Sequence, residues 1–164
     1  MESAKQIVES LGLEAHQEGG FFRRTYTSQL NASIGPEQSD RPTLTCIYYM
    51  LTSDSPIGHL HVNRSDIVHF FHSGGPIEYT LVSPNGELRT TTLGPDIEAG
   101  HQLQLAVPGG WWKASELKAS EYGLISEAVS PGFDYGDMNF VTKDGIAARF
   151  PSLAAQLLRF VSNR

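Results

Sequence analysis

A chain of 164 residues with 40% hydrophobic and 18% charged residues is long enough and apolar enough to bury a core, which argues against intrinsic disorder. Its net charge of −6 disfavours nucleic acid and anionic membrane surfaces as partners, because both attract positive charge. The single cysteine, Cys46, excludes an intrachain disulfide and a multi-cysteine zinc site. The apolar stretches are too short to span a bilayer and the first residues lack a signal-peptide pattern, so we expect one cytoplasmic domain over residues 1–164.

The N-terminal segment has the pattern of a short amphipathic helix. Ser3 is a suitable N-cap, and Ile7, Val8 and Leu11 recur at helical spacing. Gly12 is a suitable residue to end the helix.

The middle of the chain is a succession of short strands separated by turn residues. Residues 31–42 are polar and rich in turn formers, which predicts a surface loop, and Asn85-Gly86 predicts a hairpin turn. At least seven short strands with turns between them are typical of a β-sandwich or barrel. The predicted strands cover residues 21–26, 43–51, 66–72, 77–83, 88–93, 103–107, 111–117 and 122–129.

The C-terminal segment returns to a helical pattern. Residues 145–150 predict a short helical turn, and Pro151 suits a first helical position. Leu153, Leu157 and Val161 then repeat with helical period. The sequence therefore predicts a mainly β domain with short helices at both ends.

Four of the six histidines fall between positions 59 and 72. His59 and His61 are two residues apart on a predicted strand, so both rings should face the same side. Together with Asp66 they could ligate a divalent metal, because imidazole and carboxylate serve zinc, iron, nickel or manganese. The alternative is that these histidines line a polar pocket or a surface, and the spacing alone leaves both open.

The same stretch resembles the first cupin motif, in which His-x-His and a later acidic residue precede a glycine. The second cupin motif, Pro-x-Gly-x-x-His, is represented by residues 108–113, Pro-Gly-Gly-Trp-Trp-Lys. Lys113 therefore occupies the position of the last histidine ligand, and an ammonium group does not ligate metal at neutral pH. This departure favours a protein without a cofactor.

A closer resemblance is to a family of small, largely uncharacterised cupins, over roughly residues 5–160. Gln17 replaces that family's usual proline in its opening motif. The resemblance implies a cupin jelly-roll β-barrel, or double-stranded β-helix, related to the sugar-nucleotide epimerase cupins and usually dimeric, without one established activity. The matching segments are 11–22 (LGLEAHQEGGFF), His61, 64–66 (RSD), 69–70 (HF), 129–135 (VSPGFDY) and 150–151 (FP).

Polar residues on the predicted strands are candidates for lining a ligand cavity inside such a barrel. Each also has a structural interpretation: a core histidine or tyrosine with hydrogen bonds, a solvated glutamate, or a tight turn at Glu18-Gly19-Gly20. The predicted catalytic residues are His61, His69, Tyr79 and Glu127. The predicted ligand-binding residues are Glu18, Arg23, Trp112, Lys113 and Asp134.

These candidates support three hypotheses about function. The first is a metal-independent isomerase, epimerase or dehydratase of a small sugar- or nucleotide-like molecule, with His61 or His69 as the base. Tyr79 or Glu127 would then handle the second proton, and Arg23 or Lys113 would hold an anionic group. The second hypothesis is a non-catalytic module that binds a small ligand. The third is a metal-dependent cupin, such as an oxygenase, that uses His59, His61 and Asp66.

Overall fold

The computed structural model describes residues 3–34 and 39–163, and its architecture is mainly β, as predicted. The strands are β1 (Glu14–Ala15), β2 (Phe21–Thr27), β3 (Asn31–Ile34), β4 (Ser39–Pro42), β5 (Thr45–Thr52), β6 (Ile57–Asn63), β7 (Asp66–Gly74), β8 (Ile77–Val82), β9 (Leu88–Leu93), β10 (Gln104–Val107), β11 (Trp112–Leu117), β12 (Tyr122–Ser130) and β13 (Met138–Phe140). The helices are α1 (Ala4–Leu11), α2 (Lys143–Arg149) and α3 (Ala154–Leu157), with short 3₁₀ turns at Tyr135–Asp137, Pro151–Leu153 and Leu158–Phe160. No helix among the described residues is long and apolar enough to cross a membrane.

The strands form two antiparallel sheets that enclose the interior between them. One sheet has the order β1-β2-β5-β12-β7-β10, and the other has the order β13-β6-β11-β8-β9. Apart from the consecutive pairs β1-β2 and β8-β9, neighbours in each sheet come from distant parts of the chain, as a jelly roll requires. Side chains alternate along each strand, so every second residue faces the space between the sheets.

The N-terminal helix confirms its prediction. The Ser3 hydroxyl accepts a hydrogen bond from the Gln6 backbone N–H at 3.3 Å, and Gly12 ends α1 in the left-handed conformation at φ +60°. Ile7 is buried against a small apolar cluster that includes Leu13 and Met50. The amphipathic pattern therefore attaches α1 to the end of the first sheet.

The loop predicted for residues 31–42 is in fact a hairpin over its described part. Strands β3 and β4 pair with each other and form a separate two-stranded sheet, while residues 35–38 lie outside the described residues. The Ser33 hydroxyl donates a hydrogen bond to the Asp40 carboxylate at 2.7 Å across the pair. Polar residues that typify a loop thus stabilise a strand pair through cross-strand hydrogen bonds.

Two apolar clusters divide the molecule into a filled part of the barrel and a covered outer face. Aliphatic side chains fill the first part of the interior, and they include Leu51, Ile77, Leu93, Leu117 and Ile125. The second cluster lies where the C-terminal helices cover the outer side of the second sheet, including Leu60, Trp112, Ile146, Leu157 and Phe160. The predicted C-terminal helix is broken into a 3₁₀ turn, α3 and a second 3₁₀ turn, which brings Leu157 and Phe160 onto this face.

Candidate functional site

A cavity lies between the two sheets, away from the aliphatic filling. The free space that a water molecule can enter is about 30 Å³, and the wider depression, including the part open to solvent, measures about 460 Å³. The enclosed part holds about two water molecules, so a small ligand would lie mainly in the part of the depression that is open to solvent. The lining residues are His16, Glu18, Phe22, Arg24, Ile47, Tyr49, His61, Asn63, Ile67, Glu127, Val129, Phe133 and Tyr135.

One row of side chains crosses the first sheet and enters this space. Arg24 on β2 is paired with Ile47 on β5, and Ile47 is paired with Glu127 on β12. Glu127 is in turn paired with His69 on β7. Residues paired across a sheet point to the same side. The strand pairing therefore aligns an arginine, a glutamate and a histidine on the interior face.

The first acid–imidazole pair consists of Glu18 and His61. Nδ1 of His61 lies 2.7 Å from the His59 carbonyl oxygen, so Nδ1 carries the proton and donates to that oxygen. The other nitrogen, Nε2, lies 3.3 Å from Glu18 Oε2. Burial raises the pKa of Glu18, and burial together with the charge of Lys113 lowers the pKa of His61 to about 4. These opposite directions favour a neutral pair, in which protonated Glu18 donates to His61 Nε2.

His16 supports this pair from the side. The Glu18 backbone N–H donates to His16 Nδ1 at 3.1 Å, so this nitrogen carries no proton. Burial lowers the pKa of His16, which agrees with a neutral ring. The His16 ring also contacts Phe22 edge to face, with ring centres 4.4 Å apart. The imidazole therefore fixes the backbone that presents the Glu18 carboxyl to the cavity.

The second cluster joins Glu127, Lys113 and His69. Nδ1 of His69 lies 3.1 Å from the Leu105 carbonyl oxygen, which places its proton there and leaves Nε2 as an acceptor. The Lys113 ammonium lies 2.9 Å from this Nε2 and 3.4 Å from Glu127 Oε1. Burial alone would raise the pKa of Glu127, but the positive charge of Lys113 holds it well below its usual range. Glu127 is therefore a buried carboxylate.

Local sequence places these groups where they meet. On β11 the side chains alternate, so Lys113 faces the interior and Trp112 faces the outer cluster. The segment that carries Glu18 approaches β6 closely, because the His59 N–H donates to the Glu18 carbonyl oxygen at 2.6 Å. A Cβ on Gly19 would lie 2.1 Å from the Ile57 carbonyl oxygen, so only glycine permits this approach.

The comparisons with known proteins agree with this fold. Residues 5–141 match the family described as Cupin_5, Cupin superfamily (DUF985). The protein YML079W of Saccharomyces cerevisiae, described as uncharacterized, is 38% identical over an alignment of 152 residues, and the match covers 85% of this chain and 75% of that protein.

The chain belongs to the Cupin_5 family.

Solved structures extend the likeness of this Cupin_5 chain to three dimensions. A hypothetical protein from Leishmania major superposes with a TM-score of 0.91 at 29% identity over 99% of this chain and all of the other. Protein SO0799 from Shewanella oneidensis gives 0.88 at 30% identity over the full length of both chains. Oxalate decarboxylase from Bacillus subtilis gives 0.56 at 17% identity, over 87% of this chain and 36% of that one, which shows a shared fold alone.

Five of the nine predicted site residues meet in the interior of this cupin. Glu18, His61 and Glu127 line the cavity, and Lys113 and His69 lie directly behind Glu127. Glu127 does not face water, as a solvated glutamate would, but contacts Lys113 and His69.

The other four predicted residues lie elsewhere. Arg23 is exposed beside Gly12, because alternation on β2 turns it away from the cavity. Trp112, expected as a stacking wall, is buried in the outer cluster, with its ring centre 4.9 Å from that of Phe150. Asp134 is exposed and accepts a hydrogen bond from the Gly136 N–H.

Tyr79 lies in the filled part of the barrel rather than in the cavity wall. Its ring centre is 5.1 Å from that of His69, and its buried hydroxyl has no hydrogen-bond partner among the described residues. Burial raises its pKa well above the ordinary value. A hydroxyl that is enclosed in this way does not reach a ligand in the cavity.

The residues of the metal hypothesis do not converge. His59 Nδ1 lies 3.3 Å from the Phe160 carbonyl oxygen, whereas Asp66 is exposed and accepts the Gly109 N–H at 2.8 Å. Only His61 of the three lines the cavity. Within residues 3–34 and 39–163, no three His, Cys, Asp or Glu side chains are arranged to hold a metal ion.

Sequence reasoning missed His16, Arg24 and Tyr49 as members of the site. His16 was present in the family's opening motif, and Arg24 is adjacent to the predicted Arg23. The Tyr49 hydroxyl donates to the Gly19 carbonyl oxygen at 2.9 Å, a contact with no local sequence signal. The alternation of side chains along β2 predicts that one of Arg23 and Arg24 faces inward, but it does not identify which one.

Proposed function

We propose that this cupin is a metal-independent acid–base enzyme, an isomerase, epimerase or dehydratase of a small sugar- or nucleotide-like molecule. One observation supports this proposal above others: two buried carboxyl groups in one cavity have pKa values displaced in opposite directions. Groups that differ in this way can act as acid and base at the same pH.

In the proposed reaction, Glu127 takes the proton from a carbon next to a carbonyl group. Protonated Glu18, hydrogen-bonded to His61, donates its proton to the carbonyl oxygen. The C–H electron pair becomes the carbon–carbon double bond of an enol, and the carbonyl π pair forms the new O–H bond. Return of a proton to either carbon gives the epimer or isomer, and loss of a neighbouring hydroxyl gives dehydration. The Lys113 ammonium keeps Glu127 ionised through its contact with the carboxylate.

Solvent deuterium exchange tests the proposal. The protein is incubated in D₂O with aldoses, ketoses, their phosphates and nucleotide sugars, and deuterium at the carbon next to the carbonyl is followed by NMR. We expect incorporation with at least one compound, and a loss of about 100-fold or more in Glu18→Gln and in Glu127→Gln. The matched control is His72→Gln, because His72 is exposed and contacts Ser126 instead of the cavity.

The second candidate is a module that binds a small ligand without turnover. Its support is that Lys113, His69 and Glu127 satisfy one another, as a structural network does. A compound that raises the melting temperature yet never exchanges a proton would contradict the enzyme proposal and favour this candidate.

A further inference from the structure

Arg24 is a cation at the cavity whose positive charge has no carboxylate partner among the described residues. Its guanidinium lies 3.4 Å from the Phe133 carbonyl oxygen and 5.9 Å from the centre of the Phe133 ring. A guanidinium has five N–H donors, so most of the Arg24 donors remain available to a ligand. Ion pairs to aspartate or glutamate hold four other arginines of the described chain: Arg41, Arg64, Arg89 and Arg159.

The other ionisable groups of the cavity do not offset the positive charge of Arg24. Glu127 is neutralised by Lys113, and Glu18 has a raised pKa that favours its neutral form. The Arg24 side chain is exposed at the rim of the cavity, so water hydrates its charge and no carboxylate among the described residues of the cavity wall balances it. A bound anion would supply the missing charge.

Strand pairing fixes how far such an anion would lie from the reacting groups. Arg24 and Glu127 are separated by one strand, with Ile47 between them. Neighbouring strands are about 4.8 Å apart, so the two backbones are about 10 Å apart. Both residues line the cavity, with the Arg24 guanidinium beside Phe133 and the Glu127 carboxylate beside Lys113.

We propose that Arg24 binds an anionic group, carboxylate or phosphate, on a small carbonyl compound whose reactive carbon lies at Glu127. This inference rests on the proposed function and specifies its substrate class. The edge-to-face pair of Phe133 and Tyr135, with ring centres 5.0 Å apart, borders the same opening. It forms an aromatic border beside the Arg24 guanidinium.

The test compares charged compounds with neutral analogues of nearly the same shape. The probes are pyruvate against methyl pyruvate, and dihydroxyacetone phosphate against dihydroxyacetone, titrated into the protein and followed by NMR. We expect at least one anion to bind ten-fold or more tightly than its neutral analogue. The pyruvate arm tests for a carboxylate site, and the dihydroxyacetone phosphate arm tests for a phosphate site.

The matched variants are Arg24→Met and Arg23→Met, which remove the same charge from adjacent positions on opposite faces of β2. Arg24→Met should weaken anion binding about 10- to 100-fold and leave the neutral probes unchanged, whereas Arg23→Met should change neither. Arg24→Lys keeps the charge but loses the fork, so it should recover only part of the affinity.

Equal affinity for charged and neutral probes, no binding of either anion, or equal effects of the two methionine variants would overturn the subsite. Deuterium incorporation measured in the same samples separates this result from the fate of the proposed function. Arg24-dependent binding without exchange supports the subsite and contradicts the enzyme. Exchange that is insensitive to Arg24→Met supports the enzyme and contradicts the subsite.

Discussion

Lys113, His69 and Glu127 depend on one another for their buried hydrogen bonds. The side chain of His69 is fully buried, and Lys113 and Glu127 are about nine-tenths buried. A charge enclosed in this way is costly unless a partner of opposite sign is in contact with it. The cupin interior can therefore hold an ionised glutamate only while the lysine is present.

Lys113→Met should lower the free energy of unfolding by about 3–5 kcal/mol, because it leaves the Glu127 carboxylate buried without its cation. Urea unfolding measures the change. The double variant Lys113→Met/Glu127→Leu should recover much of the loss, since it removes both charges. A Lys113→Met protein as stable as the wild type would show that Glu127 is solvated.

Stability should fall as the pH drops from 6.5 to 4. His61 has a folded-state pKa of about 4, so between these values the unfolded chain binds a proton that the folded protein does not, at a cost of about 3 kcal/mol. His16 and His69 have lowered pKa values and act in the same direction. Glu127 adds to the loss below its unfolded pKa of about 4.3, because its own pKa is depressed in the folded state.

Glu18 changes the stability of the protein with pH in the opposite direction. Its raised pKa means that its stabilising contribution is lost as the pH rises above about 4.3. Urea unfolding of the wild type and Glu18→Gln from pH 4 to 7 should therefore show the steeper rise of stability with pH in the variant. A flat profile in both proteins would contradict the neutral burial of the imidazoles.

The Tyr79 and Tyr49 hydroxyls differ in hydrogen bonding, so removing each one allows a direct comparison. Tyr79 has no hydrogen-bond partner in the described structure, whereas Tyr49 donates to the Gly19 carbonyl oxygen. Tyr79→Phe should keep or raise the unfolding free energy, by up to about 1 kcal/mol, and Tyr49→Phe should lower it by about 1 kcal/mol. Equal losses in urea unfolding would show that the Tyr79 hydroxyl also has a partner.

At the scale of the element, the turn that carries Glu18 is the most constrained part of the site. Gly19 has φ +97°, and its Cα faces the Ile57 carbonyl oxygen at a distance that leaves no space for a methyl group. The turn joins β1 to β2 and holds the acid against β6. Its geometry therefore sets the distance between Glu18 and His61.

Gly19→Ala should destabilise the protein by about 3 kcal/mol or more, since it combines a strained φ with a backbone clash. The control is Gly100→Ala, because Gly100 has φ +87° but a methyl group there would meet no atom within 4 Å, and its cost should be about 1–2 kcal/mol. Urea unfolding compares the two, and equal losses would contradict close packing at the Glu18 turn.

Strand β11 serves both sides of the second sheet. Lys113 and Ser115 face the interior, while Trp112 and Ala114 pack beneath the C-terminal helical segment. The register against β6 shifts between Lys113 and Ser115. The element thus connects the ionised cluster to the apolar face that α2 and α3 cover.

For the whole molecule, the jelly roll has an aliphatic part and, beside it, a cavity lined by the titratable side chains of Glu18, His61 and Glu127. Two exposed apolar residues lie away from that cavity, on and after β2: Tyr26 is 52% exposed and Leu30 is 72% exposed.

The homodimer implied by the family resemblance stays a prediction at this scale. Light scattering coupled to size exclusion should give the mass of two chains, because a second copy would cover Tyr26 and Leu30. Tyr26→Ser/Leu30→Ser should shift the mass towards one chain, with Leu158→Ser, also exposed, as the control. A wild-type mass of one chain at micromolar concentration would contradict the dimer.

The sequence by itself determined the features that depend on neighbours along the chain. The cap at Ser3, the turn at Asn85-Gly86 and the strand Leu88–Leu93 follow from local patterns, and the structure has all three. The ordered family motifs also predicted the cupin fold, whereas the sequence left open whether Glu127 is buried or faces water.

The tertiary structure alone decided which groups meet and which face each strand presents. Lys113 and His69 are 44 positions apart, and their contact depends on the way two different sheets close around one interior. Arg23 and Arg24 have the same local pattern, so only the pairing of β2 with β5 shows which one enters the cavity. Because side chains alternate along a strand, two neighbouring residues face opposite sides of the sheet. The packing of the whole strand against the core determines which of the two faces the interior.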